Sequence, residues 1–246
     1  MADHGYRPRM PVTFIGDVHG WVDRLSEVVA QAEGPLVLMG DLIDRGLAVP
    51  DVLDLVHDLC DRGAATCLMG NHEWMLCRSL GRHGAAPDED AFAAWVDGWG
   101  GDAVLAAYGV TSALALRAAL GSHLAWLDQL PWVLNGEADG SPWIAVHAGL
   151  TTHQPLALQM DDLRAGWDGP WSISDDPRPL PLFSKQLVRT VPTDLAHGTR
   201  LVSGHTPLYQ PYITTQRICC DTSGGQRGRQ LSGVVFPACR VIASQL

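Results

Sequence analysis

The chain has 246 residues, of which 46% are hydrophobic and 18% are charged, and its formal net charge is −10. This length suits one generous domain with a substantial core, and the acidic balance argues against general affinity for nucleic acid or an anionic membrane surface. No apolar run approaches the ~20 residues needed to span a bilayer. Residues 1–10 hold charges, glycine and proline instead of the apolar segment of a secretory signal.

Three short apolar runs in the first third of the chain predict buried strands. Residues 12–15 lead into GDVHG, residues 36–39 into GDLIDRG, and residues 65–69 into GNHE. Each run therefore ends in glycine followed by side chains that can bind metal. Carboxylates gathered in this way need a positive partner, and a metal ion is the expected partner in a chain that is short of cations.

The spacing between these segments predicts strand–helix–strand units. Asp17 and Asp41 are 24 positions apart, and Asp41 and Asn71 are 30 positions apart, which is about the length of one such unit. Residues 21–31 and 49–60 carry apolar side chains at helical spacing and are expected to form the crossover helices. Three parallel strands would then deliver their carboxyl ends to one edge of a sheet, where ligands bind in α/β folds.

The middle of the chain is expected to be less regular. Residues 81–121 predict a helical cap rich in tryptophan, whose aromatic side chains either pack a subdomain or shape a substrate groove. Residues 132–135 and 142–146 predict a hairpin or adjacent strands. Residues 151–198 contain recurrent proline and predict a long irregular insertion, a kind of loop that is usually functional or mobile.

The last third of the chain predicts strands again. Residues 200–203 lead to a glycine–histidine pair. The four runs that follow are expected to be antiparallel strands closing a second sheet, at residues 212–215, 217–220, 231–236 and 239–243. The prediction is therefore a single α/β domain spanning residues 1–246, with the cap and the insertion as additions to it.

The six cysteines include no C-x-x-C pair, so a thiolate zinc site is not predicted. They are expected to be small buried hydrophobic residues. Together with the absence of a secretory signal, this predicts a reduced, cytoplasmic protein.

In their order along the chain, GDVHG, GDLIDRG and GNHE resemble the three signature motifs of the phosphoprotein phosphatase family of calcineurin-like metallophosphoesterases, in particular the bacterial serine/threonine protein phosphatases. The resemblance extends to HAG at residues 147–149, GHTP at residues 204–207 and CDTSG at residues 220–224. It therefore spans nearly the whole chain. It implies a four-layer α/β/β/α sandwich in which two mixed sheets are flanked by helices.

A candidate set of metal ligands follows from donor type, and it contains oxygen and imidazole donors without thiolate. These donors suit Mn²⁺, Fe or Zn²⁺ better than Ca²⁺. The set is Asp17, His19, Asp41, Asn71, His147 and His205. The resemblance assigns Asp17, His19 and Asp41 to one metal ion and the other three to a second, with Asp41 bridging. Mn²⁺ is the expected ion among these three metals, and the two-site assignment predicts direct attack on phosphorus by a hydroxide shared between the two metals.

The resemblance also assigns roles in catalysis. His72 would be the general acid and Asp44 would orient it, because a nearby carboxylate favours the imidazolium form near neutral pH. Arg45 would bind phosphate, since a guanidinium can engage two phosphate oxygens at once.

A second arginine is expected between the HAG and GHTP segments, but its usual spacing after a tryptophan is absent here. Trp167 and Trp171 have no arginine two residues on. Arg164, Lys185 and Arg189 are therefore the alternatives for the second phosphate-binding cation.

The primary functional prediction is a dinuclear-metal phosphomonoesterase acting on phosphoserine and phosphothreonine in proteins, with phosphotyrosine and small phosphoesters as further candidates. The alternative is a symmetrical dinucleoside tetraphosphate hydrolase. Those hydrolases usually lack the second aspartate of GDxxDRG and read GNHD, so Asp44 and Glu73 favour the phosphatase. A non-catalytic scaffold of the same fold is the third possibility, and the presence of all six ligands counts against it.

Overall fold

The computed structural model describes residues 10–166 and 178–246. Within them, ten strands form two mixed five-stranded sheets. The first sheet contains β1 (Val12–Ile15), β2 (Leu36–Leu38), β3 (Ala65–Cys67), β9 (Ser232–Phe236) and β10 (Arg240–Ala243). The second contains β4 (Val133–Ala138), β5 (Ser141–Val146), β6 (Arg200–Ser203), β7 (Tyr212–Ile213) and β8 (Arg217–Cys219). The strand orders are β10-β9-β1-β2-β3 and β4-β5-β6-β8-β7.

The two sheets pack face to face through alternate side chains of their strands. Phe14 on β1 meets Trp143 on β5 edge to face, with ring centroids 5.3 Å apart, and lies 6.0 Å from the ring of Phe236 on β9. The intervening residue Ile15 points the other way, into a separate cluster with helical residues such as Leu25. Because side chains alternate across a strand, one apolar run fills both the core between the sheets and the core beneath the helices.

Helices cover the outer faces of both sheets. The helices α1 (Val22–Val29) and α2 (Val49–Asp61) pack on the first sheet, and α8 (Leu156–Arg164) packs on the second. A further group of helices follows β3 in the chain. It consists of α3 (Asn71–Leu80), α4 (Glu89–Trp99), α5 (Gly101–Tyr108), α6 (Ala113–Leu120) and α7 (Ser122–Leu127). The α/β fold with two mixed sheets and flanking helices is confirmed.

The predicted parallel strands and the hairpin are also confirmed. β1, β2 and β3 run parallel in the first sheet, and β4 pairs with β5 antiparallel. All six cysteines are free. Among the described residues, no single helix is long and apolar enough to cross a membrane; α5 and α6 pass that test only as a pair, with a bend of 65° between them.

The prediction that the last four runs close the second sheet is wrong for two of them. β9 and β10 join the first sheet, where β9 pairs antiparallel with β1. β8 runs parallel to β6, so it is antiparallel only to β7. Every residue of β9 is buried, and such a strand fits beside β1 in the interior of a sheet. An apolar run does not reveal which of two neighbouring sheets will receive it.

The segment predicted as an irregular insertion contains regular structure. It includes α8, the short helix α9 (Leu180–Phe183) and a 3-10 helix at Lys185–Arg189. Another short 3-10 helix, Arg82–Gly84, follows α3. Trp167 and Trp171 lie outside the described residues. The boundaries of the cap and of the insertion stay predictions.

Candidate metal centre

The ends of five strands meet at one edge of the sandwich and bring the predicted ligands together. Asp17, His19, Asp41 and Asn71 follow β1, β2 and β3, and His147 and His205 follow β5 and β6. Five of these six residues are buried, whereas His205 is partly exposed. The two sheets therefore each supply part of one polar cluster.

Asp41 lies at the centre of the cluster and is shared by two triads of potential ligands. Its Oδ2 is 3.6 Å from Nε2 of His19, and its Oδ1 is 3.4 Å from Nε2 of His147. One triad is His19, Asp41 and His72, and the other is Asp41, His147 and His205; the ligand atoms within each triad lie within 4.8 Å of one another. The two carboxylate oxygens thus face two different groups of histidines, as a bridging ligand requires.

Backbone carbonyl groups fix the tautomers of the three predicted histidine ligands. Nδ1 of His19 donates to the Ile43 carbonyl at 2.7 Å, and Nδ1 of His147 donates to that of Met39 at 2.6 Å. Nε2 of His205 donates to the Phe183 carbonyl at 3.1 Å. Because a carbonyl can only accept, the other nitrogen of each ring is left as the acceptor that points into the cluster. Metal-binding histidines are oriented in this way.

The inner face of the cluster gathers acceptor atoms. Oδ1 of Asn71 is 2.8 Å from Nε2 of His147 and 2.8 Å from Nδ1 of His205. Both oxygens of Asp17 accept from the backbone N–H of His205, at 3.0 and 3.1 Å. Buried acceptors that converge with few protons between them need a cation. The geometry and donor chemistry therefore fit a dinuclear metal site.

Asp221 is a further buried carboxylate in this region that the ligand prediction did not include. Burial raises its pKa to about 6, and burial together with Asp221 and Asp41 raises the pKa of Asp17 well above its usual range. Oδ1 of Asp221 accepts from the backbone N–H of Gly224 at 2.9 Å, while Oδ2 has no partner. The sequence signal was the CDTSG segment that follows β8.

Arg45 reaches across the mouth of the cluster. One guanidinium nitrogen donates to Nε2 of His19 at 2.7 Å and to the Gly224 carbonyl at 2.6 Å. The other donates to Nε2 of His72 at 3.0 Å. On the far side of the His72 ring, Nδ1 lies 2.5 Å from Oδ2 of Asp44. Asp44 also accepts from Nε1 of Trp95 at 3.1 Å. Arg45, His72 and Asp44, predicted to be the phosphate-binding arginine, the general acid and its orienting carboxylate, thus form one connected row.

The protonation of His72 runs against the sequence-based expectation. Burial lowers the pKa of His72 to about 4 and the Arg45 guanidinium adds to this effect, although the Asp41 carboxylate opposes it. Burial also raises the pKa of Asp44 well above its usual range. Since Arg45 donates to Nε2 of His72, that nitrogen is an acceptor in this arrangement. Asp44 therefore does not by itself keep His72 in the imidazolium form.

Glu73 has a structural role that the sequence did not reveal. Its Oε2 accepts from the backbone N–H of Asp41 at 2.7 Å and of Gly70 at 3.1 Å, and its Oε1 accepts from those of Leu42 and Ile43 at 2.8 and 3.3 Å. Burial and the nearby Asp41 raise its pKa to about 7, whereas the hydrogen bonds from backbone amides favour the carboxylate. Glu73 thus braces the loop that carries Asp41.

Several site residues adopt the left-handed backbone conformation that is uncommon outside glycine. The φ angles of His19, Asp41, Asp44, Arg45 and His205 lie between 49° and 70°. Backbone strain of this kind concentrates at functional sites, where the surrounding structure imposes it. It gives these side chains directions that a regular strand end would not.

Three residues are the alternatives for the second phosphate-binding cation. Among the described residues, none of the three contacts the cluster. Arg164 donates to Asn135 at 3.0 Å, and Arg189 lies 5.3 Å from the ring centroid of Tyr212. Lys185 begins the short 3-10 helix after α9. Arg178 instead lies beside the site, 5.9 Å from the ring of Trp99, which is itself 5.6 Å from the ring of His72. No spacing rule in the sequence pointed to Arg178.

A strand-end site that combines two His/Asp triads with a guanidinium defines a phosphoesterase of the metal-dependent class. The calcineurin-like phosphoesterase family profile matches residues 10–225. The chain therefore belongs to this family and is a metallophosphoesterase hydrolase with a buried His/Asp metal site.

Two curated relatives share one name. The chain is 41% identical over 69 residues to the symmetrical bis(5′-nucleosyl)-tetraphosphatase of Tolumonas auensis, covering 26% of this chain and 24% of the relative. It is 33% identical over 101 residues to the protein of the same name from Ralstonia nicotianae, covering 35% and 36%. The matches thus span only 24% and 36% of the relatives' lengths.

Solved structures share the fold at low identity. A crystal structure provisionally described as a diadenosine tetraphosphatase superposes with a TM-score of 0.59 at 19% identity, covering 96% of this chain and 94% of the other. The cold-active protein-tyrosine phosphatase of a psychrophilic Shewanella species gives 0.57 at 19% identity, covering 96% and 80%. At this identity the likeness establishes the fold alone.

Proposed function

We propose that this metallophosphoesterase hydrolyses dinucleoside tetraphosphates symmetrically, releasing two nucleoside diphosphates. The observation that carries the proposal is the sequence similarity to two curated symmetrical bis(5′-nucleosyl)-tetraphosphatases. The proposal reverses the order of the two functions predicted from the motifs, which placed the protein phosphatase first.

The structure weakens one of the two motif arguments for a protein phosphatase. In the motifs, Glu73 distinguishes GNHE phosphatases from GNHD hydrolases, but its carboxylate accepts hydrogen bonds from the backbone of Asp41, Leu42 and Ile43. The residue therefore supports a loop, and its identity says little about the substrate. Asp44 is the motif residue that still favours the phosphatase.

In the proposed reaction, Arg45 binds the phosphate that is attacked. Its two donor nitrogens point to His19 and His72, so a phosphate that accepts from them would release Nε2 of His72. That nitrogen could then carry a proton for the leaving group. Bound divalent ions would supply water of lowered pKa as nucleophile and would offset the phosphate charge. We propose Asp17, His19, Asp41, Asn71, His147 and His205 as their ligands, with Mn²⁺ as the first ion to test.

The test compares substrates on one preparation of the enzyme. Purified protein with Mn²⁺ is offered diadenosine tetraphosphate, phosphopeptides and p-nitrophenyl phosphate, and the products are separated by chromatography. We expect the highest kcat/KM for diadenosine tetraphosphate, with ADP as the only nucleotide product. Formation of ATP and AMP would exclude symmetrical cleavage. A higher kcat/KM for a phosphopeptide would restore the phosphatase as the better proposal.

The second candidate, a phosphoserine and phosphothreonine phosphatase, is favoured by the pair of His72 and Asp44. The 2.5 Å contact between Nδ1 and Oδ2 holds the imidazole in one orientation beside Arg45. An alkoxide is a poor leaving group and needs a proton as its bond to phosphorus breaks, whereas a nucleoside diphosphate leaves as a more stable anion. An oriented imidazole is therefore of more use to a phosphomonoesterase.

A further inference from the structure

Two backbone segments contact Arg45, and each does so at a glycine. A Cβ on Gly225 would lie 2.7 Å from Cδ of Arg45 and 2.6 Å from Cβ of His19. A Cβ on Gly100 would lie 3.3 Å from Cγ of Arg45, and the Gly100 carbonyl accepts from the Arg45 N–H at 3.4 Å. The phosphate-binding arginine is thus bordered by the loop after β8 and by the junction of α4 with α5.

A tryptophan and an arginine at the start of α1 stack on each other and donate hydrogen bonds to the loop after β8. Nε1 of Trp21 donates to the Gly225 carbonyl at 2.9 Å. The guanidinium carbon of Arg24 lies 4.3 Å from the centroid of the Trp21 ring, and the same guanidinium donates to the Gln226 carbonyl at 2.9 Å. Trp21 and Arg24 are both partly exposed. We call these two residues the Trp21 pair.

The junction of α4 with α5 carries a second arrangement of the same kind. Trp99 directly precedes Gly100, and its ring centroid is 5.6 Å from those of both His72 and Phe183. The guanidinium carbon of Arg178 lies 5.9 Å from the Trp99 ring and 5.3 Å from the Phe183 ring. We call Trp99, Phe183 and Arg178 the Trp99 group.

A continuous series of contacts joins the Trp21 pair to the Trp99 group through the reactive centre. It runs from Trp21 to Gly225, whose neighbour Gly224 accepts from Arg45, and from Arg45 through His72 to Trp99. Arg45 therefore lies between two places where an aromatic ring and a guanidinium occur together. These cations stand out in a chain whose net charge is −10.

We infer that the Trp21 pair and the Trp99 group are the two nucleobase subsites of the enzyme, an inference that rests on the proposed function. A dinucleoside polyphosphate carries a base at each end and phosphates between them, and Arg45 occupies the position between the two subsites. Every nucleobase offers a π-face that stacks on an aromatic ring or on a guanidinium plane. Stacking of this kind stabilises bases bound in single-stranded nucleic acid complexes, and each arginine also attracts the adjoining phosphates.

The test separates recognition of the bases from recognition of the phosphates. Hydrolysis of p-nitrophenyl phosphate is inhibited competitively, either with diadenosine tetraphosphate or with inorganic tetraphosphate, and the ratio of the two inhibition constants measures what the bases contribute. The variants are Arg24→Gln, Arg178→Gln and the double variant. Arg62→Gln is the matched control, since Arg62 is exposed on the far end of α2 and pairs with Asp58.

We expect the wild-type enzyme and Arg62→Gln to bind the dinucleotide far more tightly than tetraphosphate. Each single variant should reduce that preference about tenfold, and the double variant about a hundredfold. The kcat/KM for diadenosine tetraphosphate should fall by the same factors relative to that for the aryl phosphate. The enzyme could turn over the dinucleotide while both single variants keep the wild-type ratio of inhibition constants. That result would overturn the assignment of the two subsites and leave the proposed function standing. Failure of the wild-type enzyme to turn over the dinucleotide would instead overturn the proposed function and the subsites with it.

Discussion

At the scale of single residues, Asp41 and His72 each join two different parts of the candidate centre. Asp41 directs its two oxygens to histidines from opposite sheets, His19 and His147. His72 faces Arg45 with one ring nitrogen and Asp44 with the other. A residue that joins two neighbours cannot be replaced without disturbing both, and this gives two predictions.

The substitution Asp41→Asn should reduce activity more than Asp17→Asn or Asn71→Ala. The bridging carboxylate contributes to both proposed metal sites, so its loss should lower the bound metal toward zero. Turnover should fall by at least ~100-fold, because residues that only orient metal ligands already contribute up to about that factor. Metal content is measured by elemental analysis after dialysis, with Asp58→Asn on the surface of α2 as the control. Two metals retained per chain in Asp41→Asn would refute the bridging assignment.

The substitution His72→Asn should have an effect that depends on the leaving group. General acid catalysis contributes ~10²–10⁴-fold where the leaving group needs a proton, so kcat on phosphoserine peptides should fall by about that factor. The loss should be much smaller on p-nitrophenyl phosphate, whose leaving group is already a stable anion, and also on diadenosine tetraphosphate. Kinetics on the three substrates check this. Equal losses on all three would assign His72 to metal binding, consistent with its place in one of the two triads.

At the scale of secondary-structure elements, the first turn of α3 organises the loop after β2. Gly70 lets this turn approach closely, because a Cβ there would lie 2.3 Å from the Asp41 backbone nitrogen and from its Oδ1. Glu73 then accepts hydrogen bonds from both chain segments. The position of Asp41 therefore depends on a helix that begins 30 residues later in the chain.

The substitution Glu73→Gln tests this dependence. The amide NH₂ group of glutamine is a hydrogen-bond donor. In the variant it would face backbone N–H groups that donate to a carboxylate oxygen in the wild-type protein. We expect a loss of about 2–3 kcal/mol in the free energy of unfolding, together with weaker metal binding. Urea denaturation measures the first effect, and Glu89→Gln, on the exposed first turn of α4, is the control. Glu73→Asp should be milder, since it keeps the charge but shortens the reach. Unchanged stability in Glu73→Gln would show that Glu73 is protonated in the native protein.

The sequence predicted the elements that follow local rules and missed features that depend on distant partners. Glycine after an apolar run located the ends of β1, β2 and β3 within two residues, and helical periodicity located α1 and α2 with the same precision. The placement of β9 beside β1 could not be foreseen, because a fully apolar strand fits either sheet. Arg178 was missed for a similar reason: its partners Trp99 and Phe183 belong to different segments, and only the fold brings them together.

At the scale of the whole molecule, the candidate metal centre lies where the two sheets meet and gathers polar side chains from both. Asp17 and Asp41 come from the first sheet, whereas His147, His205 and Asp221 follow strands of the second. Burial and neighbouring carboxylates raise the pKa of Asp17 well above its usual range, so the ionised form of this group is unfavourable without a cation. Metal binding should therefore strengthen the association of the two halves of the sandwich as well as enable catalysis.

Removal of metal should therefore lower thermal stability as well as abolish activity. A ligand that binds only the native state contributes about 2.7 kcal/mol when its free concentration is 100 times Kd. In a chain of this size that corresponds to a Tm shift of roughly 5–10 °C. We expect dialysis against a chelator to lower Tm by this amount and to abolish turnover, and Mn²⁺ to restore both. Calcium should restore less, because imidazole donors suit it poorly. The Asp41→Asn variant serves as the internal control and should show little response to Mn²⁺. A Tm that is the same with and without Mn²⁺ in the wild-type protein, or full activity in a verified metal-free sample, would contradict the dinuclear centre.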